Sequence, residues 1–373
     1  MRFRRAAGAA LAGRCRVSRI SIAVLIVIAL AGLSASCGSS SKSSASHNAY
    51  VTQPQKGNVA LVRINDSSGA ISLIAQTVPI AGVQPTGVAL DPSKKFLYVS
   101  NGSPANTVTV FNIAGDGTLT QSGDAIPVGS GPRALVIDPS GKFLLITNTF
   151  DKNVSVYSLG SGTLTLVANF PTADNPGELK FAPSGSFVYI SNATGFITAY
   201  AFDAASGNLT PVPGSPFPSG GGLAGLAIDG GSHFLFAANS SDGTVSVFTI
   251  AADGSLHAIS GSPYAAGTGP QALTLDSTNA FLYVVNLGSN NVSAFTVKAA
   301  TGELTPISGS PVNAGTAPVF VVAEPAGGFI YVGNQSTTNL SSYSYDLTTG
   351  VLSAVSGSPF MMGSAPGGMA IVH

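Results

Sequence analysis

The sequence predicts an all-β fold: a seven-bladed β-propeller of four-stranded antiparallel blades, closed by the C-terminal strand completing the N-terminal blade. Three observations predict it. First, a short strand ending in asparagine recurs: Phe96–Asn101 returns as 144–148, 188–192, 235–239, 282–286 and 330–334, with a looser copy at 49–53 ending in Gln53. Second, the ends of these seven copies are spaced 44 to 48 residues apart, a period that in short strands marks a propeller array. Third, a proline opens the strand before each copy (Pro85, Pro132, Pro176, Pro270, Pro318, with Leu223 once), and Pro366 opens one more that has no copy after it. The first copy conversely has no such strand before it. The orphan at 366–372 is therefore expected to pair with the strand at Tyr50 and leave no exposed edge.

In chain order, the first segment is a targeting signal. Six arginines (Arg2, Arg4, Arg5, Arg14, Arg16, Arg19) precede an apolar run from Ile20 to Leu33. That run is shorter than the roughly twenty apolar residues a stable membrane span needs, so residues 1–36 read as a secretory signal peptide. Ser34-Ala35-Ser36-Cys37-Gly38 follows and resembles a bacterial lipobox, although the leucine stands one residue early. The resemblance implies lipid on Cys37, a membrane as partner, and a bacterial cell-envelope location, periplasmic or outer-surface. Ordinary cleavage near Ser36 is the alternative. Cys15 lies within the signal, so the mature chain has no possible internal disulfide. Residues 37–47, rich in serine, read as a flexible tether, and the propeller is expected over 48–373.

Composition supports a folded domain. Charged residues are only 9%, but the hydrophobic fraction of 45% can fill a core. Beyond Cys37 ten basic residues face all 16 acidic ones, a net charge near −6. Nucleic acid, whose affinity rests on phosphate neutralisation by Lys and Arg, is excluded as a partner.

The second repeat shows the unit. Thr86–Leu90 is a first strand, Asp91-Pro92-Ser93-Lys94 a tight turn and Phe96–Ser100 the second strand. Thr107–Ile113 alternates as a third, Ala114–Gly117 is a hairpin turn, and Thr118–Gln121 begins a fourth. The absence of tryptophan argues against the WD40 type, and kelch glycine pairs are missing.

Tyr50-Val51-Thr52, the Tyr-Val-x-Asn strands and the run Gly131-Pro132-Arg133-Ala134-Leu135-Val136-Ile137-Asp138-Pro139 resemble the YVTN-repeat, seven-bladed lactonase family, which includes 6-phosphogluconolactonases. The resemblance spans Tyr50 to His373. It implies lactone chemistry on the funnel face, carried by a Gly-Pro-Arg-His run, a glutamate after one Tyr-Val-x-Asn strand and an arginine after another strand-end asparagine. Arg133 matches the first arginine, but Ala134 replaces the histidine. Gly102, Thr149, Ala193, Ser240, Leu287 and Gln335 follow the asparagines, so the glutamate and the second arginine are absent.

In a repeat protein, whatever recurs in every blade is scaffold, and site candidates are what break the symmetry. The asparagines are expected to bond neighbouring backbone and pin loops, Asp91, Asp138 and Asp276 to serve turns, and the Gly-Ser-Pro-aromatic segments at 214, 261 and 357 to pack. The symmetry breakers beside the repeat proline are Arg133, Gln271 and Glu178, which should line the channel mouth as ligand contacts. Arg133 and Glu178 are also the candidate catalytic pair, with a plain Arg133–Glu178 salt bridge as the structural alternative. Phe150, in a polar loop, is a further contact candidate. The histidines (His47 in the tether, His233, His257, His373) do not cluster, no cofactor is implied, and neither zinc spacing nor a calcium loop is present. Three functions stay open: a non-catalytic propeller binding an envelope protein, glycan or small lactone on its funnel face; a divergent lactonase; and a passive spacer.

Overall fold

The computed structural model describes residues 45–77 and 84–372. The signal peptide, Cys37 and most of the tether lie outside them. Among the described residues every regular element is a strand, and the strands form seven antiparallel sheets. Blades two to seven each consist of consecutive strands, beginning with the proline-led (or Leu223-led) strand at the channel: 85–90, 132–137, 176–181, 223–228, 270–275 and 318–323. Blade one is composite. Its strands 46–53, 58–65 and 71–76 are joined by Gly368–Ile371, with Tyr50 opposite Ala370 and Thr52 opposite Gly368. The expected closure is present.

Two expectations are refined. The fourth strand is a full eight residues only in blade three, at 164–171. Elsewhere in blades two to seven it runs three residues, leaves the sheet, and returns as a two-residue strand on the same partner. In blades four to seven a serine makes this possible: Ser215, Ser262, Ser310 and Ser358 each accept a hydrogen bond from a third-strand N–H through Oγ at 2.8–2.9 Å. Phe217 then plugs the gap, 8% exposed. The second refinement concerns His47, which belongs to strand 46–53 rather than the tether. It sits at the closing seam, with Nδ1 2.8 Å from Asp66 of blade one and Nε2 3.1 Å from Glu324 of blade seven.

There is no single core. Alternation on the strands points apolar side chains to both faces of each blade, and seven apolar clusters fill the seven inter-blade gaps. Tyrosines tie these layers together. Tyr50 Oη donates to Gly117 O in the next blade's hairpin at 2.7 Å, Tyr189 to Gly254 O at 2.9 Å and Tyr283 to Gly350 O at 3.0 Å. Gly117 is held at φ +89°, and a Cβ there would lie 2.1 Å from Asn48 Nδ2, so only glycine fits that turn.

The strand-end asparagines are scaffold, as expected, but they bond chiefly to side chains rather than backbone. Asn286 Nδ2 donates to Asn291 Oδ1 and Ser293 Oγ on the third strand, and its Oδ1 accepts Gly267 N–H from the connection between blades. Asn334 repeats the pattern with Asn339, Ser341 and Gly315. Each thus fastens an incoming connection to its blade. The aspartates serve their turns as expected, with Asp138 Oδ1 accepting the Phe143 N–H and Oδ2 the Ser140 N–H.

Candidate functional site

Every innermost strand of blades two to seven has a register shift just after its first residue. Such a bulge re-aims side chains, and here it turns the residues after the proline toward the mouth of the axial channel. In blades two to four the bulges are held by hydroxyls at the end of the neighbouring strand. Ser100 Oγ accepts Gly87 N–H and donates to Arg133 O across the blade gap at 3.0 Å. Thr147 accepts Ala134 N–H and donates to Gly177 O at 2.9 Å, and Ser191 accepts Glu178 N–H and donates to Ala224 O at 2.9 Å. The backbone under Arg133 and Glu178 is therefore fixed from both sides.

Arg133, Glu178 and Gln271 all line one cavity of about 280 Å³ at the channel axis, together with Thr86 and the inner faces of the first strands. The structure thus brings these three candidates together. The expected Arg133–Glu178 salt bridge does not form. Glu178 Oε1 instead lies 2.8 Å from Lys180 Nζ, because residues two apart on a strand share a face. Arg133 takes part in none of the ion pairs among the described residues, and its residue is solvent-exposed. The mouth therefore offers an uncompensated guanidinium, an amide at Gln271, and below them a neutralised Glu178–Lys180 pair.

Lys180 is the site residue that sequence reasoning missed. A signal was available: the strand Pro176–Phe181 carries two charges in a chain with only 9% charged residues. Lys180 also lines a second cavity of about 570 Å³ at the opposite end of the channel, with Asp276 and Glu324. Phe150, 66% exposed, lines none of these cavities. Its ring covers the backbone at Gly131, where a Cβ would come within 2.8 Å of it. Near the mouth, Lys152 Nζ and Asp174 pair at 2.9 Å, and that hydrogen bond holds the Asp174 carboxyl below its usual range.

The described histidines line neither cavity. Among the described residues no group of three or more His, Cys, Asp or Glu is placed to hold a metal ion.

Comparison with known proteins places the fold. In solved structures, the chain is similar to a putative 6-phosphogluconolactonase from Bacteroides fragilis, at 21% identity and a TM-score of 0.78, over 90% of this chain and 99% of that one. It is similar to a periplasmic gluconolactonase from Pseudomonas aeruginosa at 19% identity and a TM-score of 0.77, over 88% and 99%. A putative 6-phosphogluconolactonase from Bacteroides uniformis gives 17%, 0.78, 88% and 99%. No functionally curated protein matches the chain. The family described as lactonase, 7-bladed beta-propeller, matches residues 42–181, 159–272 and 258–365, and the chain belongs to that family.

Proposed function

We propose that this propeller binds a small hydroxylated acid, or the lactone of one, at the mouth of its channel, and that it does so without turnover. One observation carries the reading: Arg133 stands unpaired in a cavity it shares with Gln271, while the only carboxylate there, Glu178, is neutralised by Lys180 at 2.8 Å. A guanidinium with free donors suits a carboxylate or a polarised lactone carbonyl. Turnover asks for a base within reach of a proton to be moved. Ala134 stands where the family resemblance calls for histidine, and Glu178 is held as half of an ion pair. The chain is exported and carried on the envelope by lipid on Cys37, with the funnel free to meet ligands outside the cytoplasm.

A second reading, a divergent lactonase, has its own support: Arg133 and Glu178 face the same cavity. In that reading Glu178 would activate water while Arg133 holds the developing oxyanion.

The test uses the purified chain from Cys37 onward. Gluconate binding by calorimetry is expected, weakened at least about tenfold in Arg133→Ala, the loss of roughly 1.4 kcal/mol or more that a charge-assisted contact contributes. Hydrolysis of glucono-δ-lactone and 6-phosphogluconolactone is expected not to exceed the spontaneous rate. Turnover that disappears in Glu178→Gln would replace the first reading with the second.

A further inference from the structure

The channel mouth continues outward in one direction. Arg133 and Gln271 also line a lobe of about 230 Å³ whose far wall is Ser240 and Ser241. Those two serines are in turn the near wall of a groove of about 400 Å³ over blades five and six, lined by Asp242, Thr268, Ser289 and Asn291. Lobe and groove thus share a wall, and they join the charged mouth to the outer surface. Pockets of this size class, about 300–1,000 Å³, take whole small molecules.

One position decides whether this surface is open, and only blade three fills it with a large side chain; Ser103, Thr194, Ser241, Gly288 and Ser336 stand there in blades two and four to seven. Counting from the strand-end asparagine, the second residue after Asn148 is Phe150, and the second after Asn239 is Ser241. Both sit over a glycine that precedes the innermost strand, Phe150 over Gly131 and Ser241 over Gly222. Over blade three the phenyl ring covers that surface. Over blade five only a hydroxymethyl stands there, and the path stays open.

The chemistry along the path is graded. The cation is at the inner end, and outward from it the walls are hydroxyls and amides. The one carboxylate, Asp242, is already engaged, accepting Gly221 N–H through Oδ2 at 2.6 Å. Neither the lobe nor the groove is lined by an aromatic residue or a lysine, which disfavours a peptide side-chain anchor and a polyanion alike. The walls are fixed: Ser289 Oγ accepts Thr268 N–H at 2.9 Å, and Asn286 Oδ1 accepts Gly267 N–H at 3.1 Å. Preformed hydroxyl and amide walls over a backbone floor are suited to a polyhydroxylated unit without a charge of its own.

We infer that the ligand is the acidic end of a longer glycoside: its carboxylate sits at Arg133, and a neutral sugar unit lies outward past Ser241 over blades five and six. This rests on the reading of the mouth as a site for a small hydroxylated acid. The test compares two probes by calorimetry on the chain from Cys37 onward: gluconate, which fills the mouth alone, and lactobionate, which carries a galactosyl unit on gluconate. Lactobionate is expected to bind at least tenfold more tightly. In Ser241→Phe, which installs the side chain that blade three already holds at the matching position, the ratio of the two affinities should fall to within threefold of one. Equal affinities in the unmodified chain, or an advantage that survives Ser241→Phe, would overturn the groove and leave the mouth standing. Failure of both probes to bind, or binding indifferent to Arg133→Ala, would overturn the reading of the mouth and this inference with it.

Discussion

The two sides of the ring solve the same packing problem differently. In blades two, three and four the residue before the strand-end asparagine is Ser100, Thr147 or Ser191, and each hydroxyl bridges its own bulge to the carbonyl of the next blade. In blades five, six and seven the same position is Ala238, Val285 or Gly333, and the space is filled by apolar contact. At Gly333 the filler is Phe320, whose ring would meet a Cβ at 2.1 Å. Arg133 and Glu178 both stand on the hydroxyl-bridged side. The difference teaches where positional precision is invested: directional bonds fix a backbone to a few tenths of an ångström, whereas apolar packing tolerates small slides.

The sharpest way to break this comparison is to push the same atom into both sides. A Cβ on Gly87 would meet Arg133 O at 2.6 Å and Ser100 Oγ at 2.9 Å, two atoms that are already bonded to each other. A Cβ on Gly225 would meet Ala272 Cα and Gln271 O, both at 2.9 Å, with no hydroxyl holding that seam. Gly87→Ala is expected to destabilise by about 3 kcal/mol and Gly225→Ala by about 1 kcal/mol, the upper and lower ends of overpacking costs. Urea unfolding reads both. Equal losses would mean that the two seams are equally stiff.

Removing the bridge tests the same idea from the other direction. Thr147→Val keeps the volume but leaves Ala134 N–H and Gly177 O without their partner, at a cost of about 2 kcal/mol. Val285→Thr, which buries a hydroxyl among apolar neighbours with no partner arranged to receive it, should also destabilise, by about 1 kcal/mol or more, rather than gain a bridge. Thr147→Val should also weaken gluconate binding, because its two bonds hold the residues on either side of the Arg133–Glu178 gap. An unfolding midpoint unmoved by Thr147→Val would remove the bridging role from these hydroxyls.

Most of the fold was legible because a propeller is written in its repeat. The period, the asparagines, the closing strand after Pro366 and the scaffold role of the turn aspartates all follow from letters that recur. The candidate site showed in the sequence only where a letter breaks the repeat, as at Arg133, Glu178 and Gln271, which line one cavity. Lys180 was overlooked because it lies one strand-repeat deeper than the positions compared, and its pairing with Glu178 depends on two side chains sharing a face. The excursion of the fourth strand and the residence of His47 in the closing seam depend on contacts between residues distant in sequence, and no local pattern announces them. Ser100, Thr147 and Ser191 were visible as letters, but their reach across the blade gap depends on a bulge that only the register reveals.

The smallest effect should fall on the outer staples, where the ring is even. Tyr189 and Tyr283 make the same bond to the next blade's hairpin, at 2.9 Å and 3.0 Å, on opposite kinds of seam. Replacing either with phenylalanine leaves one carbonyl unpaired and should cost about 1 kcal/mol, equally on both sides. Alkali provides the check. Burial, with the Asp116 charge adding to it, pushes the Tyr50 hydroxyl up to about 12, and burial with the Asp91 charge does the same for Tyr98. The folded chain therefore keeps protons that the unfolded chain releases near pH 10. The stabilising contribution is complete below about pH 10 and is lost as pH rises through about 12. Tyr50→Phe should flatten the fall of stability across that window while leaving the profile at pH 6 to 9 parallel, which urea midpoints taken at half-unit steps would show. An unchanged alkaline slope would mean that Tyr50 reaches solvent before the blades separate, and that the outer staples hold less tightly than the bridges around the mouth.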